Sequence, residues 1–192
     1  MKLLSASRRL LVLSAGAVLF SALGGCASTP LQPQDTALLV TAADLEPFGA
    51  ALPAHFPTFE QSSKTELLGS IELEYQFDAR AAGSAYPYLY STINRETTVS
   101  SAVAAYGAIK AGLGIADIEA RDDSERFRYG DWSYFGTLLH HGEARGFVFY
   151  MRDELTVYLL MVSGMHMEVD QLWEQLLLPR LEMLNRTRLS SR

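Results

Sequence analysis

The residue with the clearest chemical context is Cys26, which carries the only thiol in the chain. A lone cysteine cannot close a disulfide within the chain, so in an exported protein it needs another use. Leu23, Gly24 and Gly25 come directly before it, and small residues are what a signal peptidase needs beside the bond it cuts. These residues are typical of the end of a cleaved export leader.

The residues before this point have the pattern of an export leader. Lys2, Arg8 and Arg9 form a basic start, and the apolar run from Leu10 to Phe20 is shorter than the roughly 20 residues of a transmembrane helix. Two alternatives stay open: an ordinary secretory leader followed by an accidental cysteine, and an N-terminal helix that is not cleaved. Residues 7–11 also partly resemble a twin-arginine export signal, but no cofactor motif follows that would require folding before export.

The motif Leu23-Gly24-Gly25-Cys26 resembles the lipobox of bacterial lipoproteins. The resemblance implies that the Cys26 thiol receives a diacylglycerol, that the leader is cut between Gly25 and Cys26, and that the new terminal amine is often acylated. Two or more acyl chains hold a protein firmly on a bilayer, so the partner implied is a membrane and no cofactor is implied besides this covalent lipid. Ala27 follows the cysteine in place of Asp, which in the enteric-type sorting rule implies the inner leaflet of the outer membrane, facing the periplasm.

Histidines give the metal-like patterns of the chain. His140-His141-Gly142-Glu143 is one, but neighbours in a strand point to opposite faces, and zinc takes three or four convergent ligands. Met165-His166-Met167 has soft-metal character, although at a strand-to-helix junction core methionines beside a surface histidine are the more frequent explanation. We predict no metal site and keep His140, His141 and His166 as weak candidates. His55 has no partner that the sequence can name.

No catalytic residues are predicted. The Gly-x-Ser-x-Gly turn of serine hydrolases and the glycine-rich phosphate loops do not occur in the sequence. Asp122-Asp123 and Asp153-Glu154 are carboxylate pairs, but each lies in a charged run typical of a solvated turn. Several aromatic residues could line an apolar groove or fill a core; they are Tyr86, Tyr88, Tyr90, Tyr129, Trp132, Tyr134 and Phe135.

Charge excludes one class of partner. Loss of the three basic leader residues leaves 13 Lys and Arg against 22 Asp and Glu, a net charge of about −9. Such a domain repels phosphate backbones, so nucleic acid is not an expected partner. It also repels anionic lipid, so attachment to a membrane has to come from something other than basic side chains.

Strand patterns dominate the rest of the chain. Residues 71–78 alternate apolar and polar side chains, which places Ile71, Leu73, Tyr75 and Phe77 on a core and their neighbours in water. Residues 88–94 are rich in aromatic and β-branched side chains. Three further strands are predicted at 132–140, 145–151 and 155–163. Short turns make these three antiparallel, and the last two are apolar on both faces, as in the middle of a covered sheet.

Two helices are predicted. The first has Thr97 or Thr98 as its N-cap and stops at Gly112 and Gly114. Its core face is predicted to consist of Val99, Ala102, Val103, Tyr106 and Ile109, with Gly107 allowing close packing on the sheet. The second begins near Glu168 and Asp170, and its apolar face holds Val169, Leu172, Trp173, Leu176 and Leu177. Pro179 should kink or break this helix, with Leu181 and Leu184 beyond it.

These elements predict an α+β fold, in which an antiparallel sheet of about five or six strands carries helices packed on its faces. The order of elements, with a hydrophobic strand ending in Val162-Ser163-Gly164 before a Trp/Leu helix, resembles the PsbP-like fold. The predicted organisation is a signal peptide at 1–25, a lipidated cysteine and flexible tether at 26–36, one domain at 37–185 and a polar tail at 186–192.

The predicted function is that of a lipid-anchored periplasmic protein without enzymatic activity, which binds a partner protein or an apolar ligand at the cell envelope. A membrane-tethered, hydrolase-like enzyme whose residues meet only in three dimensions is the first alternative. Metal handling through the histidines is the second.

Overall fold

A computed structural model describes residues 28–49, 58–80, 87–115, 120–165 and 168–189. They form an α+β fold built on one antiparallel sheet, which confirms the fold class. The sheet has eight strands in the order β1-β2-β3-β4-β8-β7-β6-β5, so the predicted five or six is wrong. The strands are β1 Ser28–Thr29, β2 Phe59–Leu67, β3 Ser70–Asp78, β4 Tyr88–Arg95, β5 Ala120–Asp122, β6 Trp132–His140, β7 Glu143–Asp153 and β8 Thr156–Ser163.

The central strands β7 and β8 are apolar on both faces, as predicted. Phe147 and Phe149 are buried in one core, whereas Val148 and Tyr150 are buried in a second core across the sheet. Because neither face of these strands tolerates water, helical segments have to cover the sheet on both sides.

The first core lies beneath the two ends of the described chain. Leu73, Tyr75 and Phe77 of β3 point into it, which confirms their predicted alternation. The N-terminal cover consists of α1 (Pro33–Thr36), α2 (Ala42–Leu45) and the 3₁₀ turn Glu46–Phe48. The C-terminal cover consists of α4 (Val169–Leu172), the π-helical turn Trp173–Leu177 and α5 (Leu178–Leu189).

The N-terminal segment differs from the flexible tether predicted for residues 26–36. Ser28 and Thr29 pair with Thr65 and Lys64 of β2, and α1 follows four residues later. The Asp35 carboxylate lies 3.9 Å from the Lys64 ammonium group. Residues from Ser28 onward therefore belong to the folded domain.

The second core lies beneath the long helix α3 (Val99–Ile115), which follows β4. Thr98 is its N-cap, as predicted, because its hydroxyl accepts a hydrogen bond of 3.1 Å from the Ser101 amide. The helix runs past Gly112 and Gly114, so these glycines do not end it. Its buried face was also predicted incorrectly in part: Ala102 is fully buried, whereas Val99 and Val103 are exposed.

The C-terminal helix accommodates Pro179 through a change in backbone hydrogen bonding at the residue that precedes the proline. The Leu178 amide donates to the Trp173 carbonyl, five residues back, instead of to residue 174. A wider π turn at this position accommodates a residue that has no N–H and would crowd the turn before it. The predicted break is therefore a π turn, and helix α5 continues through the predicted polar tail as far as Leu189.

Leu172, Leu176, Leu177 and Leu181 of the C-terminal helix are buried against the sheet, which confirms its predicted apolar face. Within the described ranges, no helix is both long enough and apolar enough to cross a membrane.

Substitutions at two glycines test the described packing of β7 against β8. A Cβ at Gly146 of β7 would lie 2.1 Å from the Val162 carbonyl oxygen, and its φ of +145° also disfavours a side chain. Gly146→Ala is expected to lower the free energy of unfolding by about 2–3 kcal/mol, as overpacking does. Gly107→Ala is the control, because nothing lies within 4 Å of its Cβ position. This helical substitution should raise stability by about 0.5–1 kcal/mol.

Urea unfolding of the three proteins, compared by transition midpoint at equal slope, checks this prediction. A Gly146→Ala variant as stable as the parent would mean that β7 and β8 are not in the described register. The contact-free position of Gly107 also corrects the expectation that it permits close packing on the sheet.

Candidate functional site

The two described histidines lie side by side at the end of β6. The rings of His140 and His141 have centroids 4.2 Å apart, because His141 has a φ of +53° in the turn to β7. The turn therefore rotates His141 so that its side chain approaches that of His140, which two neighbours in a regular strand would not do. However, no group of three or more His, Cys, Asp or Glu side chains suited to a metal occurs in the described ranges. The pair alone does not supply the ligands that zinc requires.

Five of the candidate residues from the sequence lie outside the described residues. They are Gly25, Cys26, His55, Tyr86 and His166.

The carboxylate pairs serve local structure. Asp122 accepts hydrogen bonds from the amide and hydroxyl of Ser124, which lower its pKa. Asp123 accepts a 2.6 Å hydrogen bond from the Thr137 hydroxyl. Neither described histidine is hydrogen-bonded to a carboxylate in the part of the chain that the structure covers, so no Ser-His-Asp geometry forms there.

An exposed apolar surface is the most distinctive feature of the described chain. Its four members are large hydrophobic side chains with much of their area in water, and we call them the apolar stripe: Leu68 (93% exposed), Val99 (54%), Trp132 (48%) and Val103 (37%). Scattered exposed hydrophobics are ordinary, but a connected set marks a binding surface more often.

The members of the apolar stripe lie near one end of the sheet, because Leu68 precedes β3, Val99 begins α3 just after β4, and Trp132 begins β6. Leu68 lies in the turn between β2 and β3, and the next strand begins with Ser70, whose hydroxyl donates to the Glu96 carboxylate at 2.9 Å. Glu96 lies three residues before Val99. The Val99 and Val103 side chains border the helix face that carries Tyr106, and the Tyr106 ring lies 5.7 Å from the Trp132 ring.

Arg152 fixes the Trp132 end of the stripe. Its guanidinium lies 4.5 Å from the centre of the Trp132 ring and 2.9 Å from an Asp131 carboxylate oxygen. The Arg152 side chain is only 9% exposed, and its Nε has no hydrogen-bond partner in the structure. The guanidinium also donates a 3.0 Å hydrogen bond to the Glu154 carbonyl. A buried guanidinium held by a carboxylate, a carbonyl and a ring gives the indole a defined orientation at the surface.

Two shallow clefts lie where the two chain ends meet over the first core. Their volumes are about 440 and 400 Å³, and both are lined by Thr41 and neighbours from α1 and α2. Asp44 accepts hydrogen bonds of 2.8 Å from the Thr41 amide and hydroxyl and lies 2.6 Å from Arg180. Burial alone raises the pKa of Asp44, but these bonds outweigh it and hold the pKa below its ordinary value.

Several of the polar groups that line these clefts are paired with one another. Arg180 also donates to the Leu39 carbonyl at 2.9 Å, so it joins the C-terminal helix to the N-terminal segment. The Tyr75 hydroxyl accepts a hydrogen bond from the Ala42 amide and donates one to Glu60. This pattern is typical of a structural clamp rather than of a polar binding site with free donors.

Two half-buried carboxylates, those of Glu72 and Glu74, lie on the sheet face beside α3. Glu74 accepts a 3.0 Å hydrogen bond from the Tyr90 hydroxyl. Burial, together with the nearby charges of Glu74 and Glu96, raises the pKa of Glu72. The sequence predicted that Glu72 and Glu74 would lie in water, but both are only partly exposed.

Sequence reasoning found the aromatic members of this region but missed its arrangement. Trp132 was a candidate groove residue, whereas Val99 and Val103 were placed in the core and Leu68 was not singled out. One signal could have identified Leu68: a Leu-Gly pair between two strands occupies positions where Asn-Gly is favoured. The Asp131–Arg152 pair is 21 residues apart and carries no local signal.

The pairing of Arg152 leads to a second prediction. Asp131→Ala leaves the buried guanidinium without its carboxylate, and we expect a loss of about 1–3 kcal/mol in unfolding free energy. Asp170→Ala is the control, because it removes an Arg126 pair whose side chains are 56% and 67% exposed; a loss below about 1 kcal/mol is expected. Urea unfolding measures both, and equal losses would mean that Arg152 is hydrated.

The raised pKa of Glu72 leads to a third prediction. A carboxyl group whose pKa is higher in the folded than in the unfolded state destabilises the fold when ionised. Glu72→Gln is therefore expected to raise stability at pH 7. The gain should fall as the pH drops through the folded pKa, and should vanish below the unfolded pKa, where both states are protonated. The exposed Glu174→Gln is the control, and a pH-independent gain at Glu72 would contradict the prediction.

No known protein family, no curated protein and no solved structure matches the chain. The function therefore has to be inferred from its own residues and from where the fold places them.

Proposed function

We propose that the chain is a lipid-anchored protein of the bacterial cell envelope. The observation that carries this proposal is Cys26, the only cysteine, which follows Leu23-Gly24-Gly25 and a basic-then-apolar leader. The proposed location is the inner leaflet of the outer membrane, facing the periplasm, because Ala27 follows the cysteine. Lipid on the thiol explains how a domain with a net charge of about −9 stays on a membrane without a basic patch.

We further propose that the domain works by binding rather than by catalysis, with a partner protein or an apolar ligand at the envelope as its target. The apolar stripe supports this role because its four side chains are exposed near one end of the sheet. Its indole is held in place by Arg152, as expected of a preorganised contact residue. Asp44, Arg180, Tyr75 and Glu60, which line the two clefts, are already paired, and this favours binding through the stripe over binding in those clefts.

The anchor is tested by Cys26→Ser. The hydroxyl cannot take the lipid, so the variant is expected to move from the membrane pellet to the soluble periplasmic extract, as measured by fractionation and immunoblotting. Ala27→Asp is the matched control, because it keeps the thiol and should stay in the pellet, shifting only between inner and outer membranes. If Cys26→Ser pellets as the parent does, the proposal is wrong.

A further inference from the structure

The register of β1 fixes where the chain leaves the domain. Ser28 lies opposite Thr65 and Thr29 lies opposite Lys64 in an antiparallel pair. The N-terminal end of β1 therefore lies at the Glu66–Leu67 end of the sheet, beside the turn that joins β2 to β3. Cys26 is two residues before Ser28, so the two Cα atoms can be separated by at most about 7 Å.

The apolar stripe begins at this same end. Leu68 lies in the turn after Leu67, and the pairing of Ile71 with Arg95 and of Arg95 with Thr156 places the start of α3 and the β7–β8 turn beside it. Trp132 opens β6 opposite Arg152, one residue from that turn. Phe59, also an exposed large hydrophobic side chain, lies at the far end of β2, about 27 Å from Leu67 at strand spacing.

Leu68 itself is not explained by folding. Its φ of +51° is followed by a Gly69 φ of +87°, a pair of left-handed conformations in which Asn-Gly is favoured and a leucine is strained. At 93% exposure the side chain gains almost no burial in return. A strained, exposed leucine beside the exit point of the chain is better explained by a contact made outside the domain.

We infer that the apolar stripe lies against the lipid surface that holds the protein, with the β2–β3 turn directed into the headgroup region. The inference rests on the proposed lipid at Cys26 and names the apolar ligand of the proposed function as membrane lipid. An anchor two residues from β1 keeps Leu68 at a high effective concentration beside the bilayer. Tryptophan and aliphatic side chains are the residue types that partition into this interface.

Charge restricts the kind of lipid. Glu66 and Asp131, 63% and 44% exposed, flank the stripe, while the Arg152 cation is already paired. Arg95 is exposed at the same end, but the mature chain carries about nine negative charges in excess. A zwitterionic surface is therefore favoured over an anionic one.

The test uses the full lipidated protein, reconstituted in phosphatidylcholine vesicles with or without brominated acyl chains. Because the only native thiol carries the lipid, Leu68→Cys introduces a single free thiol for a bimane label. Phe59→Cys is the matched control at the opposite end of β2. Bromine is expected to reduce bimane fluorescence strongly at position 68 and not at position 59. In the unlabelled protein, bromine should also reduce the Trp132 emission, taken as the difference between the parent and Trp132→Phe.

Every other outcome overturns the inference. Equal fluorescence with and without bromine at position 68, in a protein that floats with the vesicles, would mean that the stripe faces water and awaits a protein partner. A blue shift of the label without bromine quenching would mean that a second copy of the chain covers it. A protein that carries no lipid and does not float would instead disprove the anchor itself, which separates failure of the proposed function from failure of the orientation.

Discussion

The constraint on which the structure depends is that the central strands β7 and β8 are apolar on both faces. Phe147, Phe149 and Tyr158 need a cover on one side, and Val148, Tyr150 and Met161 need one on the other. The two chain ends supply the first cover, locked together by the Arg180–Asp44 ion pair, and helix α3 supplies the second. Both sheet faces are thus covered. The exposed hydrophobic side chains of the stripe lie in a turn, at a strand end and at the edge of the buried face of α3, where they can make external contacts.

The same packing decides how the domain relates to its proposed anchor. Because the N-terminal segment is needed over the first core, its first described residues are already paired with β2. A lipid on Cys26 would then sit almost directly on the folded domain, with no flexible tether that lets the domain tumble at a distance from the bilayer. Under the proposed anchor, the fold would set the orientation on the membrane, with the end of the sheet that carries Leu68, Val99 and Trp132 nearest the lipid.

How far the sequence predicts this structure depends on how each element is buried. Alternation identified β3, apolar runs identified β7 and β8, and Thr98 identified the start of α3, because each of these signals reflects burial or capping within a few residues. Strand β2 was missed because its sequence, FEQSSKTEL, is mostly exposed at the sheet edge, and β1 and β5 are too short to show a period. The sequence predicted only part of the stripe. Helical spacing alone does not show that Val99 and Val103 lie just outside the face that α3 buries. Tertiary packing produces the pairing of Asp131 with Arg152 and the π turn before Pro179. Local sequence patterns do not predict such features.

The covalent state of the first mature residue is the most direct test of the whole account. Intact mass spectrometry of the protein extracted from its native membranes should give a chain of residues 26–192 that carries the added mass of a diacylglycerol, with or without a further acyl chain. A chain of unmodified mass, or one that still includes the leader or begins at a residue other than Cys26, would contradict the account at its base.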